Sequence, residues 1–284
     1  MTTATATQIP TRSSAPSKPT KPSTPVGRWL ALSKAEGLQF VRNRLLMFLA
    51  LVFPVGMPIA MYLVFRDSST TGFAEATAME MFFIFAMLFV EFYAVLSMAT
   101  TRRDEKVLKR LRTGELRDGE ILAAISTPAA VLTVLLTAVF AVLLLVLGSP
   151  MPVNILPVLV ALVLGIAISA AFAFLTTIIT QNAEAAQMTS MPVMVLALMS
   201  QGSIRDVLPE NVADVLDRTP FALMSDLSQL GWTGTTTQRV SAGESTLDAG
   251  GVLSETLPLM GILAVWTIVL VWAAAKYMKW ETNR

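Results

Sequence analysis

Glu91 stands in a run of apolar residues, 81–101, that holds no other charge. A charged side chain at the centre of a bilayer costs about 2.5–3.5 kcal/mol on insertion scales, so one that is retained needs a compensating contact or a task. Three uses are open: a polar point on a transport path, a contact between subunits, or a packing hydrogen bond inside the chain. No Lys, Arg or His lies at matching depth in the other apolar runs. The carboxyl is therefore expected to be hydrogen-bonded rather than ion-paired, with Ser97, Thr133, Thr137 and Thr176 as candidate partners. The second set of polar residues is concentrated in one loop. Residues 102–120 carry seven basic and five acidic side chains. Within them Val107, Leu108 and Leu111 form a small apolar ridge at helical spacing. A solvated turn has this composition, and so does a docking helix with apolar anchors inside a polar rim.

Other chemistry is excluded by what the chain lacks. It has no cysteine and no histidine, which removes disulfides, thiolate metal sites, Ser-His-Asp and Cys-His catalysis and HExxH zinc sites. The dipeptide Gly-Lys never occurs, so there is no P-loop and ATP is not bound that way. No Asp falls in the apolar runs, against an intramembrane aspartyl protease. The formal net charge of +1 gives no electrostatic footprint for nucleic acid. The chain reads as a non-enzyme that binds no cofactor or metal itself.

The elements that position these groups are membrane spans. Apolar residues make up 54% of the 284 and charged residues 14%, against about 25% charged in an average soluble domain. The fold class is all-α integral membrane. Six spans are expected at about 45–65, 81–101, 121–147, 154–180, 185–204 and 256–275, with Pro54, Pro58 and Pro192 as kink sites. The turn at 148–153 is short, so the third and fourth spans are expected to be antiparallel neighbours. Seven Lys/Arg precede position 45, seven more lie in 102–120 and three follow position 275, against four elsewhere. The positive-inside rule then places both termini and the 102–120 loop in the cytoplasm.

Residues 1–26 read as a disordered tail in which Pro10, Pro16, Pro19, Pro22 and Pro25 prevent a helix. Residues 27–44 read as an amphipathic interfacial helix, with Leu30, Leu38, Val41 and Leu45 on one face and Trp29 at headgroup level. In the fourth span, Ala161, Gly165, Ser169, Ala173 and Thr177 form a small-residue stripe, for packing within the chain or for a dimer seam. The external segment 205–255 holds eight acids. Its apolar pieces at Val207–Leu208, Val212–Leu216 and Phe221–Met224 are expected to dip back toward the membrane.

Two stretches carry a family resemblance. Arg102–Ala124 resembles the loop after the second span in permease subunits of type-2 ATP-binding cassette (ABC) exporters. Its E-x-x-L-x-R-L-R core is matched here by Glu105, Leu108, Arg110, Leu111 and Arg112. Pro192–Leu227 is similar to that family's fifth span and the segment after it: Ser200 and Gly202 near the outer end, Leu208-Pro209, then Pro220-Phe221. The resemblance covers residues 28–280 and implies a 27–280 transmembrane domain. It makes 102–120 a coupling loop, with Leu108 and Leu111 as anchors on the ATPase and Glu105, Arg110 and Arg112 setting register. It makes 205–255 a re-entrant hairpin between spans five and six, with Ser200, Gly202, Pro209, Pro220 and Phe221 at an external gate.

The partners it implies are two copies of a cytosolic ABC ATPase that hold the ATP and Mg, a second or sister permease, and the bilayer of a prokaryotic cell membrane. The cargo it implies is amphipathic or hydrophobic: a drug, antibiotic or lipid. Two other classes stay open on the residues alone. One is a proton-coupled secondary transporter using Glu91. The other is a membrane sensor or scaffold for a cytosolic partner.

Overall fold

The computed structural model describes residues 24–67, 72–112, 116–182 and 184–278. Residues 1–23 of the expected tail lie outside them, as do the side chains of Leu45 and Arg112. Among the described residues every regular element is a helix. The first, α1 (Pro25–Arg42), starts at one of the prolines expected to forbid a helix. Thr24 caps it, its Oγ1 accepting from the Gly27 N–H at 3.2 Å. Pro25 is tolerated because the first helical position has no partner for an N–H in any case.

Five helices are long and apolar enough to cross a membrane. They are α2 (Met47–Phe65), α3 (Phe73–Asp104), α5 (Asp118–Val146), α6 (Ile155–Thr177) and α13 (Ala249–Tyr277). Between α3 and α5 lies the short α4 (Val107–Arg112). Pro54 opens α2 into a π-helical turn at Val52–Gly56, where a wider ring absorbs the missing N–H and the clash with the preceding carbonyl. A second π-helical stretch, Ala86–Tyr93, lies inside α3 around Glu91.

The run 185–204 is not one helix. It breaks into α7 (Ala185–Thr189), α8 (Met191–Met199) and α9 (Gly202–Arg205). Pro192 sits at the start of α8 and cannot extend the preceding turn. The apolar part, Ala185–Met199, has 15 residues and reaches about 22 Å as helix, short of a bilayer core of about 30 Å. The external segment forms α10 (Glu210–Leu216), α11 (Pro220–Thr233) and α12 (Thr237–Ser241).

Helix α3 is the hub. Its apolar window is 78% buried, against 22% for α2, 28% for α5 and 17% for α13. Those three turn residues such as Val64, Val142 and Ile268 outward, as a lipid-facing helix does. Helices α5 and α6 were expected to be antiparallel neighbours, joined by the short turn at 148–153. They touch each other little: α5 lies on α1 and α3, and α6 packs on α3, α11 and α13. A short turn joins helix ends but does not dictate what lies between their middles. The small-residue stripe of α6 packs within the chain: a Cβ on Gly165 would come within 2.6 Å of Met224 Sδ and 3.1 Å of Met87.

Candidate functional site: a charged elbow and a polar cap on one helix

Helix α3 carries a polar constellation near each end. At the C-terminal end the chain reverses through Glu105 and Lys106, and Lys106 takes a left-handed backbone with φ +58°. Such a conformation costs a non-glycine residue roughly 1–2 kcal/mol and needs support from its surroundings. Two arginines supply it. Arg102 is buried, and its guanidinium donates to Glu36 on α1 and to Glu105, each at 2.9 Å. Arg103 is also buried; it donates to the Thr177 carbonyl at 2.5 Å and to the Thr180 carbonyl. A cation there satisfies the orphan carbonyls at the C-terminal end of α6 and matches its dipole. The elbow is thus tied to α1, α3 and α6.

Along its length α1 is fixed to α5 by Arg28–Glu120 at 3.2 Å and by Trp29 Nε1 donating to Thr127 Oγ1 at 3.2 Å. Its Leu30, Leu38 and Val41 face outward.

Leu108, expected as an apolar anchor for a partner, is fully buried within this chain. Leu111 is half-buried against the same core. Helical spacing identified the ridge but not the side on which its cover lies. What α4 and its turn present outward is charged: Glu105, Lys106 and Arg110.

Toward the N-terminal end of α3 the group overlooked in the sequence is Glu80. It was set outside the span because its charge ended the apolar run, yet small residues (Ala74, Ala76, Ala78) continue the helix past it. Glu80 is buried and accepts from the Gly202 N–H, from Thr237 Oγ1 at 3.5 Å and from Ser225 Oγ at 3.5 Å. Gln229 stitches this set together, donating to Ser225 Oγ at 2.9 Å and accepting from the Thr237 N–H at 2.8 Å. Gly202 is required by close approach: an added Cβ would lie 2.3 Å from Thr237 Oγ1.

Beside this cluster Arg205 is 1% exposed and pairs with Asp226 at 2.5 Å and with Asp217. Burial works against its charge, but Asp226 and Asp217 outweigh it and hold the guanidinium above the ordinary arginine value. In the sequence Arg205 is only one of the four basic residues outside the three basic stretches. Four of the five expected gate residues gather here. Ser200 Oγ meets Thr219 Oγ1 at 3.1 Å, Gly202 bonds Glu80, Pro220 opens α11, and Phe221 stacks on Phe172 with ring centres 5.8 Å apart. Pro209 stands apart, exposed at the start of α10.

Between the two ends lies Glu91, fully buried. Of its four candidate partners it has Thr133, whose hydroxyl donates to Oε1 at 3.2 Å. Its Oε2 has no hydrogen-bond partner. Among the described residues no group of three or more Asp or Glu side chains is placed to hold a metal. The arrangement is a charged elbow and a polar cap joined by one central helix.

The family model described as ABC-2 type transporter matches residues 28–210. No curated protein matches the chain.

Proposed function

The chain belongs to the ABC-2 type transporter family, and from that membership we propose that it is the permease half of an ATP-driven exporter in a prokaryotic cell membrane. Two cytosolic ABC ATPase subunits hold ATP and Mg, and two permeases pair across the bilayer. Nucleotide-driven closure of the ATPases pushes α4. The spans then pass between an inward and an outward state, a two-state element biased by a ligand bound elsewhere. The cargo is amphipathic or hydrophobic, in keeping with spans that carry few charges.

The observation that carries this reading is the anchoring of the elbow. Arg102 and Arg103 fasten it to α1, α3 and α6 at once. A push on α4 is therefore delivered to several spans rather than dissipated in a loop. The docking face is the charged one, Glu105, Lys106 and Arg110, in place of the buried Leu108. Reversing two of these charges, Lys106→Glu with Arg110→Glu, should lower co-purification of the ATPase and ATP-driven efflux by about tenfold, with the permease still inserted and folded. Removing rim charges that meet a partner typically costs a few kcal/mol at most, enough for that loss. Unchanged co-purification and efflux would overturn the docking assignment.

A sixth crossing is part of the same proposal. Helices α7 and α8 run from Thr189, bonded to Thr180 beside the Arg103 anchor, to Gly202 at Glu80 near the opposite end of α3. Broken at Pro192, they act as a short fifth span. Helix α11, lodged against α3, α6 and α13, is the re-entrant limb that closes the outer end.

A further inference from the structure

The first turns of α6 have an apolar recess on each side. On one side, where α5 and α6 stand apart, a cavity of about 240 Å³ opens between them. Phe82 and Phe140, stacked with ring centres 4.3 Å apart, and the Trp232 indole form its wall. Val134 and Leu159 stand at its mouth, 47% and 48% exposed, on faces that these spans turn to lipid. On the other side an open groove of about 580 Å³ runs between α6 and α13, past Val163, Met260 and Gly261. Leu159 lines both recesses and is the ridge that divides them.

Neither recess offers a ligand a polar contact. The groove along α13 is lined by apolar side chains and Gly261 alone. In the cavity both polar groups are already engaged. Thr137 donates to the Thr133 carbonyl at 2.8 Å, and the Trp232 N–H donates to Ser149 Oγ at 3.0 Å. A polar ligand would leave its own groups unpaired there. An apolar cavity of about 150 Å³ stays dry and takes up benzene, so recesses of this size and lining take hydrocarbon. At Gly261 an added Cβ would meet nothing within 4 Å. Glycine inside a helix is destabilising relative to alanine, and the bare backbone leaves room that this chain does not fill itself.

We propose that the two recesses hold the two acyl chains of one phospholipid of the outer leaflet, which straddles Leu159. The dimensions select that occupant. The α6 residues of the two recesses, 155–164, span about 15 Å of helix, half of a bilayer core of about 30 Å and so the depth of one leaflet. A helix of a second protein, about 10 Å across, does not enter the cavity between α5 and α6, whereas a hydrocarbon chain does. The leaflet is the outer one because α6 begins at the turn opposite the elbow. The inference stands apart from the permease reading: it needs a bilayer and no ATPase.

The test takes the full chain purified in mild detergent and counts bound phospholipid by native mass spectrometry. The wild type should retain one diacyl phospholipid. Ala138→Phe fills the cavity and Gly261→Phe fills the groove, both at exposed positions where the fold tolerates an added ring. Either change alone should lower the retained lipid by about tenfold or more, because the two chains belong to one molecule. Val139→Phe, exposed on α5 outside both recesses, should leave it unchanged. A second readout uses Trp232, which is 2% exposed. With the other tryptophans replaced by Phe, a phospholipid carrying brominated acyl chains should quench its fluorescence in liposomes, and Ala138→Phe should relieve the quenching. Four results overturn the proposal: two lipids lost one at a time by the two plugs, retention unchanged in both plugged variants, a lysophospholipid held as well as the diacyl form, or Trp232 fluorescence indifferent to brominated chains.

Discussion

A single methyl group is a sharp probe at Gly202. Helix α9 meets α3 there so closely that the Gly202 N–H reaches Glu80, and a Cβ would fall 2.3 Å from Thr237 Oγ1. Gly202→Ala must push α9 from α12 or break the Glu80 bond. A loss of about 1–3 kcal/mol is expected, the usual range for overpacking, read as a lower melting temperature of the detergent-solubilised chain. Gly119→Ala is the contrast. Nothing lies within 4 Å of a Cβ there, and the site is in the first turn of α5. That variant should be neutral or gain up to about 1 kcal/mol of helix propensity. If both glycines respond alike, the close approach at Gly202 is wrong. The same scale shows what a sequence can disclose. Glu91 was legible because its charge stands alone in an apolar run, and Thr133 was among four candidates. Glu80 was not, since a charge at the edge of such a run reads as the run's end. Only the bonds from Gly202, Ser225 and Thr237, more than a hundred residues downstream, give it a place.

At the scale of elements, periodicity yielded faces but not their covers. On α1 the stripe Leu30, Leu38 and Val41 faces away from the protein, as an interfacial helix requires, while Ser33, Glu36 and Phe40 are buried. On α4 the ridge faces inward instead, and Leu108 disappears into the core. Nothing local distinguishes the two cases, because the deciding partner is another helix in one and lipid in the other. The lie of α1 on α5 can be checked directly. Cβ atoms at Gly37 and Pro128 would be 3.9 Å apart, within the range of a disulfide. The natural chain has no cysteine, so Gly37→Cys with Pro128→Cys adds the only pair. Oxidation should give one intramolecular cross-link, seen as a mobility shift that reductant reverses. Its absence would mean that α1 lies elsewhere. A formed cross-link that stops efflux without unfolding the chain would show that α1 moves against α5 during transport.

For the whole molecule the question is parity. An odd number of crossings puts the two termini on opposite sides of the membrane; an even number puts them together. Five helices pass the length test, and the sixth candidate is the broken pair α7 and α8. Length alone favours five. Three features favour six. Seven basic residues before position 45 and three after 275 give both ends the composition of a cytoplasmic face. Thr189 lies at the Arg103 end of α3 and Gly202 near its Glu80 end, so the broken pair covers much of the distance between them. The Asn154 N–H donates to the Gly231 carbonyl at 2.9 Å, which puts α11 beside the turn joining α5 to α6, opposite the elbow. A run too short to be a regular span is thus compatible with a crossing when part of the outer thickness is filled by α11. The cysteine-free background makes the count measurable. Single cysteines at Glu184, Asp214 and Lys276 can be labelled with a membrane-impermeant maleimide in intact cells and again after permeabilisation. Six crossings predict that Asp214→Cys reacts in intact cells, while Glu184→Cys and Lys276→Cys react only after permeabilisation. Five crossings leave Asp214→Cys protected and expose Lys276→Cys. That second pattern would leave α4 on the cytoplasmic side but place α9–α12 there as well, and α11 would no longer be an outer cap.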